Sequence, residues 1–186
     1  MIDIKQLEIE TEKYGGEYGL SHSKRIVKLV EQIGATIKYD KETILIAALL
    51  HDWGGYSAWK VDGVDHAIRS TTVAEEYLKD KVDNQELLKN VLECIMNHHN
   101  GNNEKSVEAK LFSDADGLDF LGVVGILRDF SVKDREMRKS TMSSKNRIEK
   151  IPPILFFDSS REIAKRKIEE MNRVFEILEK ESFGLY

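Results

Sequence analysis

The sequence predicts an all-α protein, a helical bundle, on three observations. Apolar residues recur three or four positions apart through most of its 186 residues. Strict strand-like alternation is not found anywhere along it. The most apolar stretch, "KETILIAALLHD", is too long for a typical strand, and its near-continuous apolar character suits a central helix surrounded by others.

Taken in order, "SHSKRIVKLVEQIGATIKY" sets Ile26, Val27, Leu29, Val30 and Ile33 on one stripe, with Ser21 the expected N-cap and Gly34 the expected stop. Asp40 is placed to cap the central helix. "DHAIRSTTVAEEYLKD", "NQELLKNVLECIMNHH", "SVEAKLFSDADGLDFLGVVGILRDF" and "SREIAKRKIEEMNRVFEILEKES" each carry helical spacing. The Gly-rich "HDWGGYSAWKVDGVD" and the polar "HNGNNEKS" read as loops. The charged "SVKDREMRKSTMSSKNRIEK", before Pro152 and Pro153, reads as a loop or short helix over a cleft.

The chain suits one domain over 1–186, with its core at about 20–130 and a C-terminal helical extension over 131–186, long enough to bury roughly 70% of the surface of its unfolded form. Hydrophobic residues make up 41% and charged residues 33%, and the longest apolar run falls far short of the ~18 residues of a membrane span. The acidic, polar start resembles neither a signal peptide nor a transit peptide, so the expected location is the cytoplasm, with no membrane partner. One cysteine, Cys94, excludes a disulfide framework and a cysteine-based zinc cage, and is expected to be a small buried hydrophobe. A net charge of −5 without a long basic run argues against a grip on duplex nucleic acid. An anionic substrate would then need local positive charge, from a metal or a few placed arginines. Homo-oligomerisation is left open.

The candidate site starts from "ILIAALLHDWGGY". An apolar run ends on His51 and Asp52 and is then cut off by Gly54 and Gly55. All five histidines, His22, His51, His66, His98 and His99, lie near predicted helix ends in the first hundred residues. With Asp52 and the acidic "SDADGLD", they supply the imidazole nitrogens and carboxylate oxygens that divalent metals take when thiolates are absent. Adjacent residues on a helix point about 100° apart, so a pair in its last turn can converge on one ion, held rigidly by the core behind it. Arg25 shares a helical face with His22, and Arg69 with His66; either arginine meets a phosphate or a solvated ion pair. Lys24 and Arg128 are weaker phosphate candidates. Tyr56 or Trp59 can stack on a base or pack the loop, and Trp53 is expected to pack.

The ordered set His22, His51-Asp52 and an aspartate in "DADGLD" resembles the H…HD…D signature of the HD-domain superfamily, all-helical metal-dependent phosphohydrolases. "HDWGG…DHAIRSTTVAEEYL", "IMNHH" and "EAKLFSDADGLDFLGVVGILR" are similar to small stand-alone bacterial and archaeal members. The resemblance implies an HD-domain helical bundle and a metal held by His22, His51, Asp52 and Asp116. It prefers Asp116 to Asp114, because the family aligns the second acid of this motif with the metal; Asp114 would then orient a ligand histidine. Some members extend the signature to H…HD…H…H…D and hold two metals bridged by the aspartate of the HD pair. His66 and His98 occupy the extra places. They hold a second ion or bind substrate phosphate, and the preferred reading has one ion with His66 and Arg69 at the substrate. His99 lies behind a ligand or at the surface. Some HD nucleotidases carry an acid shortly after the HD pair; here Trp53, Gly54 and Gly55 stand there, which leaves Asp65 or water on the metal to manage the proton.

What the resemblance implies is a phosphohydrolase for a small phosphorylated metabolite, a nucleotide first of all. Its cofactor would be one or two divalent ions (Mn, Mg, Co, Ni, Zn or Fe), with Asp52, His66, Arg69 and Asp65 catalytic and Arg25, His66, Arg69, His98 and Tyr56 at the substrate. The alternatives are a di-iron HD-type oxygenase and a non-catalytic sensor in which a metal only organises a ligand pocket.

Overall fold

The computed structural model describes residues 2–99, 105–132 and 134–186. Residues 100–104 of the predicted loop "HNGNNEKS", and Lys133, lie outside the described residues. Among the described residues there are eight α-helices and no strand: α1 Ile4–Ile33, α2 Lys41–Leu50, α3 His66–Leu78, α4 Gln85–Met96, α5 Val107–Asp119, α6 Gly122–Phe130, α7 Met137–Lys150 and α8 Asp158–Glu181. The chain forms two compact units, 1–115 and 116–186, and α5 contributes to both.

The first unit departs from expectation at its start. α1 begins at Ile4, where the Asp3 carboxylate accepts from Gln6 N, and the polar opening stretch is helical because Leu7 and Thr11, one turn apart, bury one side of it. The N-cap expected at Ser21 is therefore wrong: Ser21 lies inside the helix, and the break in the backbone is at Gly16, with φ 68° and ψ −179°. That region strains any residue with a Cβ, so glycine is what lets the two helical stretches join at an angle. Gly34 does end α1, donating its N–H to Val30 O.

α2 packs against both α1 and α4. The Asp40 carboxylate caps it by accepting from Glu42 N and Thr43 N, and Ile44 and Ile46 through Leu50 are buried, as an all-round apolar helix requires. α3 and α4 pack on each other and start the same way, from the side chains of Asp65 and Asn84. Cys94 is fully buried, and burial pushes its thiol well above the usual range.

In the second unit, the run expected as one helix is two. Leu121 is extended and Gly122 takes φ +79°, which ends α5 and redirects α6; Lys167 Nζ donates to Leu121 O across this corner. The charged stretch 131–150 is chiefly the helix α7, not a loop. It is anchored by the buried carboxylate of Asp129 on α6, which accepts from Arg135, Ser143, Ser144 and Arg147. α6 packs against α7 and α8. No helix among the described residues is long and apolar enough to cross a membrane.

Candidate metal centre

The site is built from helix ends. An α-helix leaves its last carbonyls without intrahelical partners, and two histidines use them in the same way. His51, just after α2, sets Nδ1 2.9 Å from Ala48 O; His98, just after α4, sets Nδ1 2.7 Å from Ile95 O. Both contacts run three residues back. A carbonyl only accepts, so each Nδ1 carries the proton and each Nε2 is left as a lone-pair donor, the tautomer that metal-binding histidines favour. Both rings are buried, which fixes their aim.

The Nε2 atoms point at further donors. His51 Nε2 lies 3.2 Å from His22 Nε2 and 3.4 Å from Asp52 Oδ2, and His22 Nε2 lies 3.7 Å from the same oxygen. His98 Nε2 lies 3.0 Å from His66 Nε2 and 3.1 Å from His99 Nδ1. The other oxygen of Asp52, Oδ1, is 3.7 Å from His66 Nε2. Two groups result, His22-His51-Asp52 and His66-His98-His99, each with donor atoms within 4.8 Å of one another. The His51 and His98 rings meet edge-on at 5.2 Å, so the groups are neighbours, and Asp52 turns one oxygen to each. Nitrogen and oxygen ligands ~2.0–2.2 Å from a cation lie roughly 3–3.6 Å apart. Most of these spacings fall in or near that range, and the donor chemistry fits divalent cations.

Aromatic packing supports the centre. Phe112 of α5 lies edge-on to His51 at 5.5 Å. Trp53, next to Asp52, is buried as expected, donates Nε1 to Thr11 Oγ1, and stacks on Trp59 at 4.6 Å and 6°. Gly54 lets the loop pass against α3, since a Cβ there would fall on Ser70 N and Arg69, and its N–H donates to Ser70 Oγ.

The other candidates are distributed unevenly. Asp65 caps α3 through Ala67 and Ile68, and its Oδ2 lies 3.5 Å from His99 Nε2. Burial alone would raise its pKa, but those N–H groups, with His99 and His66, hold the carboxyl below the usual range. Arg69 donates Nε to Trp59 O at 2.7 Å and lines a separate cavity. The Tyr56 ring lies against Gly15 and Gly19 of α1, where added Cβ atoms would collide with it. Arg25 is half-buried, three residues beyond His22, and Lys24 pairs with Glu8 at 3.1 Å. Asp114, in the first unit, is buried beside Lys105, whose amine burial pushes down to about 8 while Asp114 pulls it back up. Asp116 is a buried residue of the second unit, where Asp119 pairs with Arg128 at 3.0 Å. Sequence reasoning did not place His99 in a donor group; the doubled imidazole at a helix end was the available signal.

A model of the HD domain matches residues 19–121. Among solved structures, a protein described as a predicted HD superfamily hydrolase from an uncultured Thermotogales bacterium is 24% identical, with a TM-score of 0.69 over 96% of this chain and 90% of that one. YpgQ of Bacillus subtilis, in complex with ADP, is 22% identical, with a TM-score of 0.73 over 96% and 94%. An HD-superfamily hydrolase from Bacillus thuringiensis is 23% identical, with a TM-score of 0.73 over 98% and 97%. The search of curated proteins gives no match. The family model spans more than half of the chain and contains all five histidines and Asp52 of the two donor groups, and the protein belongs to the HD-domain family.

Proposed function

We propose that the protein is a metal-dependent phosphohydrolase that cleaves a phosphate ester or anhydride of a small metabolite, a nucleotide first of all. The observation that carries this reading is the pairing of two imidazole groups through the two oxygens of Asp52, with His51 and His98 locked by backbone carbonyls as Nε2 donors. HD domains bind divalent metals, and this spacing supports two ions, His22, His51 and Asp52 holding one and His66, His98 and His99 the other, rather than the single ion preferred from sequence. Asp116 joins the ligand set on the strength of the motif alone.

Divalent ions so held supply Lewis-acid polarisation of a phosphoryl oxygen and a water acidic enough to attack near neutral pH. The chain's own residues do the rest. Asp52 neutralises charge on both sides, while His51 and His98 cannot turn without giving up their carbonyls. Arg25, beyond His22 on α1, supplies fixed positive charge for a phosphate. Asp65, held ionised by the α3 N-terminus, is a weak base near neutral pH and acts by orienting His99, whose Nε2 it faces. Arg69 bears on the remainder of the substrate, whereas the Tyr56 ring packs on Gly15 and Gly19 of α1 and shapes the loop. The nucleotide preference is supported by YpgQ, a relative in fold that binds ADP.

The test is phosphate or pyrophosphate release from a panel of nucleotides with Mn²⁺, Mg²⁺, Co²⁺, Ni²⁺ or Zn²⁺ added to metal-stripped protein. Release that requires metal and is lost in Asp52→Asn is expected. No release with any metal, together with oxygen uptake by the iron-loaded protein, would overturn it.

A further inference from the structure

Outside the metal centre, the first unit holds a cavity of about 410 Å³ lined by Trp53, Trp59, Arg69, Thr72, Val73, Glu76 and Tyr77. That size falls within the range of small-molecule sites. Its walls are π-rich: Trp53 and Trp59 are stacked, and Tyr77 meets Trp53 edge-on at 5.1 Å. These rings are held from behind, Trp53 by Thr11 and Tyr77 by a hydrogen bond to Glu10, so the walls are preformed. Polar groups lie along one edge of α3, Arg69, Thr72 and Glu76, with the Arg69 donors at one end and, at the other, the exposed Glu76 carboxylate, whose Oε1 also accepts from Lys79 and whose Oε2 remains as an acceptor. Arg69 is pinned by its Nε on Trp59 O, which leaves its terminal nitrogens to serve a guest.

We propose that this cavity binds a planar heteroaromatic group with an acceptor at one edge and an N–H donor at another, the chemistry of a nucleobase. Trp53 is buried beneath Trp59 and Lys81 Nζ lies 3.7 Å over the Tyr77 ring, so the half-buried Trp59 is the ring on which such a guest stacks. A quaternary ammonium guest would also favour indoles and the Glu76 carboxylate, but it has no acceptor for the Arg69 N–H groups. A bare phosphate finds one cation and no backbone cradle. Arg69 is one turn beyond His66 on α3, and Trp53 directly follows Asp52, so the chain segments that carry two of the metal-centre donors run on into the cavity's lining. The ring therefore comes from one of two sources: the base of a nucleotide whose phosphates reach the histidines, or a free nucleoside. This inference does not require hydrolysis.

Trp53 and Trp59 are the only tryptophans of the chain, so binding is read directly from intrinsic fluorescence. The full-length, metal-stripped protein is titrated with adenosine, guanosine, cytidine and uridine. At least one should quench saturably, with a dissociation constant below ~1 mM. Thr72→Phe, which fills an exposed position of the lining, and Glu76→Gln should each weaken that binding by ~10-fold or more, with helical circular dichroism unchanged. If the nucleoside competes with a hydrolysed nucleotide, the cavity holds the substrate's base; if it binds without competing, it holds a free nucleoside. No saturable quenching by any nucleoside, equal quenching in both variants, or saturation by tetramethylammonium instead would overturn the proposal. Quenching without hydrolysis would overturn the enzymatic reading alone.

Discussion

Replacing Asp52 by asparagine tests the centre without relying on turnover. The side chain is nearly isosteric and 30% exposed, so the fold is retained. The carboxylate charge that faces His22 and His51 through Oδ2 and His66 through Oδ1 is lost. Binding to the folded state alone stabilises it by about 2.7 kcal/mol per site at 100 times the dissociation constant. Two sites give about 5.4 kcal/mol, and with ~2–4 °C per kcal/mol for a chain of this size, Mn²⁺ should raise Tm by about 11–22 °C. His66→Ala empties one group and should leave roughly half of that rise, whereas Asp52→Asn should leave almost none. The assay is thermal melting by circular dichroism in EDTA and in Mn²⁺, with metal counted by mass spectrometry. A full Mn²⁺-dependent rise in Asp52→Asn would refute the role given to Asp52. A full rise with unchanged metal content in His66→Ala would refute the second ion.

Three other outcomes follow from the packing. Gly54→Ala should cost about 1–3 kcal/mol in urea unfolding, because backbone at Ser70 cannot yield, and should weaken Mn²⁺ binding measured calorimetrically by ~10 to 100-fold through the displaced loop. Asp129→Ala should cost about 3–5 kcal/mol, since it strips a buried carboxylate from Arg135 and Arg147; a loss under ~1 kcal/mol would mean the network is incidental. Lys105 titrates near 8 when folded and near 10.5 unfolded, so the unfolded chain binds more protons between those values, and stability rises as pH climbs through that window. Lys105→Met should flatten this rise in the metal-free protein, measured as the wild-type-minus-variant difference in urea stability from pH 7.5 to 10.

The helices were legible wherever an apolar stripe met a cap: Asp40 and the buried run to Leu50 follow directly from their side chains. The start of α1 was not, because its mean composition is polar and only Leu7 and Thr11 reveal the buried side. The break before α6 was hidden for a related reason. Its cause is one glycine with positive φ, and the apolar spacing runs on across it. At the site, the sequence offered the residue types and the order His22, His51-Asp52, while the approach of His99 to His98 depends on how α4 ends. The cavity beside α3 was illegible, since Arg69 looked like a partner of His66 by spacing alone and is instead turned to the carbonyl of Trp59.

A core helix ends on histidine and aspartate here for a backbone reason. A histidine placed three residues after a carbonyl in the last turn satisfies an acceptor that the helix leaves open and, by donating Nδ1–H, presents Nε2 outward as a lone pair. α4 repeats the device with Ile95 and His98. Because α2 packs against both α1 and α4, and α3 against α4, the ends of these helices bring His51 and His98 to 5.2 Å. His22 and His66 then meet them from α1 and α3. The apolar residues of α2 make the aim of His51 rigid, and Gly54, with no Cβ to meet Ser70 and Arg69, lets the loop after Asp52 lie against α3, the helix that carries His66. Burial of the core and convergence of the donors are thus one structural fact, and Asp52, half-way between two imidazole groups, is the residue on which the chemistry depends.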